Sequence, residues 1–132
     1  MGAEFGAYGG WERADWFPQD GDLREPAMSF NRQHWHKTVG AECHHVAEHA
    51  GLIDLTGFTR FEIKGKGARA WLDTMVTGRL PKAGRIGLVY FSTPKGKILT
   101  EMTATCFGDD HFWLITGAGA FWHDRDWLHA HC

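Results

Sequence analysis

Little in this chain points away from an ordinary globular core. It holds three cysteines, Cys43, Cys106 and Cys132, too few and too irregularly spaced for a disulfide framework, so a reducing compartment is the simplest reading. No run of about 18 apolar residues occurs, so no membrane span is expected. Basic residues are not in excess: 14 Lys and Arg stand against 16 Asp and Glu, and nothing in that balance points to a nucleic-acid partner. The start, Met1-Gly2-Ala3-Glu4-Phe5, has neither the charged region nor the apolar stretch of a signal peptide. What is present in quantity is tryptophan, seven residues, and histidine, nine. The 132 residues suffice for one domain with a core. Trp113, Trp122 and Trp127 crowd the end before Cys132, which is expected of a piece of a larger protein.

Residues 1–29 show neither a helical nor a strand period, and the stretch from Pro18 to Pro26 reads as irregular or extended surface. Within it, Trp11, Trp16 and Phe17 need a surface to pack on. Ser29 is a plausible N-cap for a helix reaching about Ala50, with Trp35, Val39, Cys43 and Val46 on one face and Gly51 as its stop. Residues 1–50 are therefore read as an arm and helix, and 51–132 as a sheet-and-helix subdomain. Leu52 to Phe58 reads as a strand end or turn. Arg60 to Lys64 alternates as a strand with Phe61 and Ile63 inward; Gly65 to Gly67 turn; Ala68 to about Thr77 is helical. Ile86–Ser92, Lys97–Phe107 and His111–Thr116 are strands joined by turns at Thr93–Gly96 and Gly108–Asp110, and Ala118–His131 is helical. The order predicts an α+β fold, an antiparallel sheet with helices on one side, partly like a ferredoxin-like split unit with its last strand missing.

Two short motifs invite functional readings. His45-Val46-Ala47-Glu48-His49 matches H-x-x-E-H, which puts two imidazoles one turn apart with an acid beside them. A zinc site needs a third ligand, none is marked, and no metal is expected. Gly65-x-Gly67-x-x-Ala70 follows a strand and opens a helix, as in dinucleotide sites. The acid expected about 20 residues on is missing from Arg85 to Phe91, so a tight backbone turn is the better reading.

The stretch from Pro94 to Thr105 is different. Pro94 and Gly96 make a turn, and a strand follows with a carboxylate, Glu101, in its middle. Alternation places Leu99, Glu101, Thr103 and Thr105 on one face and Ile98, Thr100, Met102 and Ala104 on the other. By itself a mid-strand acid reads as a solvated side chain.

Three segments in order alter that weighting: residues 51–63 (GLIDLTGFTRFEI), residues 65–73 (GKGARAWLD) and residues 96–103 (GKILTEMT). Together they resemble the aminomethyltransferase family, the folate-binding T-protein of glycine cleavage. The segment from Gly10 to Phe17 is most similar to the family's members fused to dimethylglycine and sarcosine dehydrogenases. The resemblance implies that residues 1–132 are the N-terminal part of an aminomethyltransferase folate-binding domain, whose three subdomains surround a folate cavity. It implies tetrahydrofolate as cofactor, a methylamine-derived substrate, and one-carbon transfer. FAD would belong to a separate domain outside this chain, and the remainder of the folate-binding domain would be a partner. The essential carboxylate of the family's hairpin falls on Glu101, where the family has Asp, and Lys97 stands where it has a second Gly. Phe58, Leu88 and Thr103 are implied to line the folate together with Glu101. A cytoplasmic location, or the mitochondrial matrix in a eukaryote, goes with that reading. The alternatives are a folate-binding or regulatory module without catalysis and a structural piece inactive alone.

Overall fold

A computed structural model of the chain describes residues 2–24 and 28–132. The contacts divide it into two units, residues 1–55 and 56–132. No helix among the described residues is long and apolar enough to cross a membrane.

The first unit corrects the expectation of an irregular arm. Strands β1 (Glu4–Tyr8) and β2 (Trp11–Trp16) form an antiparallel hairpin in which Tyr8 faces Trp11. Gly9 and Gly10 adopt φ of 58° and 87°, the paired positive φ that a two-residue hairpin turn demands and that only Gly meets at no cost. The Gly9-Gly10 dipeptide was the available signal; the aromatic and charged residues around it hid the strand pattern. The end of the Pro18–Pro26 stretch lies outside the described residues. Helix α1 spans His36–Glu48, a shorter element than the one expected from Ser29. The Ser29 hydroxyl does accept an N–H, but from Asn31, two residues on, at 3.1 Å. That closes a local serine turn, and the chain starts its helix only after Gln33. The expected apolar face is left open: Trp35, Cys43 and Val46 are exposed, and Thr38 is the buried residue of α1.

Thr38 is held by a charge. Its hydroxyl donates to Asp22 Oδ2 at 2.6 Å, and Gln19 N–H donates to the same oxygen at 2.8 Å. The two donors, Thr38 foremost, hold the Asp22 carboxyl below its ordinary value. Trp16 is buried with the edge of its ring 5.3 Å, centroid to centroid, from His34.

The second unit is the predicted α+β layer. Its sheet runs in the order β3 (Thr59–Lys64), β7 (His111–Thr116), β6 (Ile98–Gly108), β5 (Arg85–Ser92), β4 (Val76–Thr77), every neighbouring pair antiparallel. Helix α2 (Ala68–Met75) and helix α3 (Phe121–Ala130), the latter entered by a single 3-10 turn at Ala118–Ala120, cover one face. The inward row of β6 is Met102, Ala104 and Cys106; it meets Phe112 and Leu114 of β7, Val89 and Phe91 of β5, and Leu72 and Leu128 of the helices. All of these are almost fully buried, so this layer is where apolar burial stabilises the fold.

The helix expected to run to Thr77 ends at Met75. Val76 and Thr77 become β4 because both are β-branched and can pair with Phe91 and Tyr90 at the sheet edge. At the other end of α2, Gly67 is its N-cap with φ of 92°. The turn Asp109–Asp110 captures the start of that helix: Gly65 N–H donates to the Asp110 carbonyl, Gly67 N–H to the Asp110 carboxylate at 3.0 Å, and Arg69 N–H to the Asp109 carbonyl. The Arg69 guanidinium bonds Asp109 at 2.6 Å, the Pro81 carbonyl and Cys106 Sγ, and its carbon lies 5.1 Å from the Phe112 ring centre. Arg69 thus ties α2 to the β6–β7 turn.

Candidate functional site

The face of the sheet turned away from α2 and α3 carries the candidate residues Glu101, Thr103 and Leu88. Alternation along β6 sends Met102, Ala104 and Cys106 into the core, so Glu101, Thr103 and Thr105 emerge on the opposite face. The ladder register then fixes their neighbours. Leu88 of β5 lies opposite Thr103, and Thr103 lies opposite Ile115 of β7, which lies opposite Arg60 of β3. One row across four strands therefore reads Leu88, Thr103, Ile115, Arg60. Tyr90 lies opposite Glu101 in the next row toward the Thr93–Gly96 turn. Ile86, Thr105, Trp113 and Glu62 make the row on the other side.

Of the four residues proposed from the sequence, three share one small patch: Glu101, Thr103 and Leu88. Phe58 precedes β3 by one residue, two short of Arg60, at the end of the sheet where Glu101 lies. With β7 between β3 and β6, roughly 10 Å separates its strand from that of Glu101. Leu88 is 51% exposed and Phe58 48%, Glu101 is exposed and Thr103 half-buried. A carboxylate thus stands on an open sheet face with a hydroxyl on its own strand and aliphatic and aromatic carbon on either side. Such a surface can accept N–H donors while covering the face of a flat ring.

Tyr90, Ile86, Ile115 and Trp113 stand on the same face beside these candidates. Period-two alternation through Leu88 would have supplied Ile86 and Tyr90; Ile115 and Trp113 needed the β6–β7 register, which residue types do not encode.

The remaining motifs sit elsewhere. The amides of Gly65, Gly67 and Arg69 are engaged by Asp109 and Asp110, so they form no phosphate cradle. Among the described residues no group of three His, Cys, Asp or Glu is arranged to hold a metal ion. The rings of His45 and His49 lie 4.9 Å apart on α1.

The second unit is thus an α+β layer with a carboxylate, Glu101, on the sheet face opposite α2 and α3. The chain belongs to the GCVT N-terminal domain family, whose model matches residues 1–132. It is similar to the mitochondrial dimethylglycine dehydrogenase of Rattus norvegicus, 35% identical over 93% of this chain and 14% of that protein. An aminomethyltransferase of Chloroherpeton thalassium is 32% identical over 65% of this chain and 24% of its own length. Sarcosine oxidase subunit alpha of Corynebacterium sp. (strain P-1) is 28% identical over 97% of this chain and 12% of its own length. The chain therefore spans about a seventh of the dimethylglycine dehydrogenase it matches.

Proposed function

We propose that this chain is the first part of a tetrahydrofolate-binding domain for one-carbon transfer, in a protein of the dimethylglycine or sarcosine dehydrogenase type or the glycine-cleavage type. The observation that carries the reading is the shared patch of Glu101, Thr103 and Leu88 on the sheet face opposite α2 and α3 in a GCVT N-terminal domain. The residues fit such a group: a reduced pterin is a flat, nitrogen-rich ring whose N–H donors suit a carboxylate and whose faces suit Leu88 and Phe58. When bound, tetrahydrofolate supplies the nucleophilic nitrogen that takes up the one-carbon unit. Glu101 accepts the N–H hydrogen bond that orients that nitrogen, stabilises positive charge as it develops nearby, and takes the proton released at its Oε atoms. Thr103 offers a hydroxyl on the same strand face. Leu88 and Phe58 exclude water from the carboxylate once the ligand covers them.

The methylamine-derived substrate, the rest of the folate-binding domain and a flavoprotein domain holding FAD are the partners this reading brings with it. The mammalian relatives are named mitochondrial, and a mitochondrial location is proposed for a eukaryotic source, a cytoplasmic one otherwise. The exposure of Glu101, and Lys97 beside the turn, support a second reading in which the domain holds folate without turnover. Titration of the full-length parent protein with tetrahydrofolate tests the binding claim common to both. Saturable binding that falls at least about ten-fold in Leu88→Asp, in a variant with unchanged circular dichroism, is the expected result; equal affinity in the two proteins removes this face as the site.

A further inference from the structure

The histidines of α1 have no part in the folate reading. His45 and His49 are exposed, stand at positions i and i+4, and have ring centres 4.9 Å apart with the planes inclined at 37°. The backbone brings them together at the helix end: His49, the C-cap residue just beyond Glu48 with φ of −135°, still donates its N–H to the His45 carbonyl at 2.8 Å, which closes the last helical turn between them. His44 and Glu48, each one residue before a member of the pair, point to one side of it, about 100° away.

We propose that His45 and His49 form a two-imidazole chelate for a borderline divalent transition cation, of the Ni²⁺, Cu²⁺ and Zn²⁺ class. With metal–nitrogen bonds of about 2.1 Å, a metal sits about 3.2 Å from each ring centre, and ring centres 4.9 Å apart then subtend about 100° at the metal. That angle lies between the cis angle of square-planar or octahedral Ni²⁺ and Cu²⁺ and the tetrahedral angle of Zn²⁺. Two protein ligands leave the other coordination positions to water. The site is a surface chelate, distinct from the catalytic zinc of H-x-x-E-H peptidases, where a third protein ligand and the glutamate act together. Glu48 has no role in it.

Ni²⁺ is the probe, because it does not oxidise the exposed thiols Cys43 and Cys132. The untagged chain is titrated with NiCl₂ by calorimetry in a non-coordinating buffer, then with Co²⁺ and Mn²⁺. The expected result is one site that prefers Ni²⁺ over Co²⁺ over Mn²⁺. His45→Ala and His49→Ala should each weaken it at least about ten-fold, because loss of one imidazole turns a chelate into a single ligand. His44→Ala and Glu48→Gln should leave it within about two-fold, with all four variants equally helical. Ni²⁺ binding that survives His45→Ala and His49→Ala, or that is lost with Glu48→Gln, overturns the proposal.

Discussion

Leu88 and Thr103 face each other across β5 and β6, on the side of the sheet opposite α2 and α3. One strand step away the same two strands carry Val89 and Met102, each about 1% exposed, into the core. A single sheet thus assigns stability to one set of alternating residues and, on the reading proposed above, ligand binding to the other.

The two faces should respond differently to truncation. Phe112→Ala removes a ring with no exposed surface from the core and should cost about 3–5 kcal/mol in denaturant unfolding. Leu88→Ala, on the open face, should cost under about 1 kcal/mol while weakening tetrahydrofolate binding in the parent protein. Equal losses of stability would mean that the outer face is itself a packed interior.

Gly67 should tolerate no side chain well. At φ of 92° it caps α2 in a conformation that penalises a Cβ by about 1–2 kcal/mol, so Gly67→Ala should lower the unfolding free energy by that amount. NAD or FAD added to this chain should not bind saturably, because the loop amides already serve Asp109 and Asp110. A dinucleotide titration that saturates and disappears in a folded Gly67→Ala variant would reinstate the phosphate reading.

The second unit was largely legible in the sequence, and the first was not. Alternation in Arg60–Lys64, Ile86–Ser92 and Lys97–Phe107 marked strands within a residue or two, because each strand has one buried face and so a strong period of two. The hairpin β1–β2 escaped because mostly exposed strands impose no such period: among its described residues Trp16 alone is buried. The helix start was misplaced because Ser29 satisfies a local turn as readily as a helix end. For the candidate site, the shared face of Glu101 and Thr103 followed from alternation, whereas the choice of that acid over Glu62, which alternation puts on the same face of β3, came from family resemblance alone.

The Asp22–Thr38 bond makes a pH-dependent contribution. Its two donors favour the ionised carboxylate, so the folded state binds this proton less tightly than the unfolded chain does, whose ordinary value is 3.8. The stabilisation is fully present above that value and is lost as the pH falls through the lower, folded-state value. Thr38→Val removes the larger cause and should move the Asp22 titration, followed through its carboxyl carbon by NMR, upward toward 3.8. An unchanged midpoint would mean that the hydroxyl does not hold the carboxylate.

The central claim is that Glu101 does chemistry. The most direct measurement is the rate of tetrahydrofolate-dependent one-carbon transfer by the full-length parent protein carrying Glu101→Gln, which keeps shape and hydrogen bonding but removes the charge. The account predicts a rate lower by roughly two to four orders of magnitude, the range for a general acid–base group, with folate affinity far less affected and Glu101→Asp active. Transfer at the wild-type rate in Glu101→Gln would show that Glu101 is an ordinary residue of an exposed strand face.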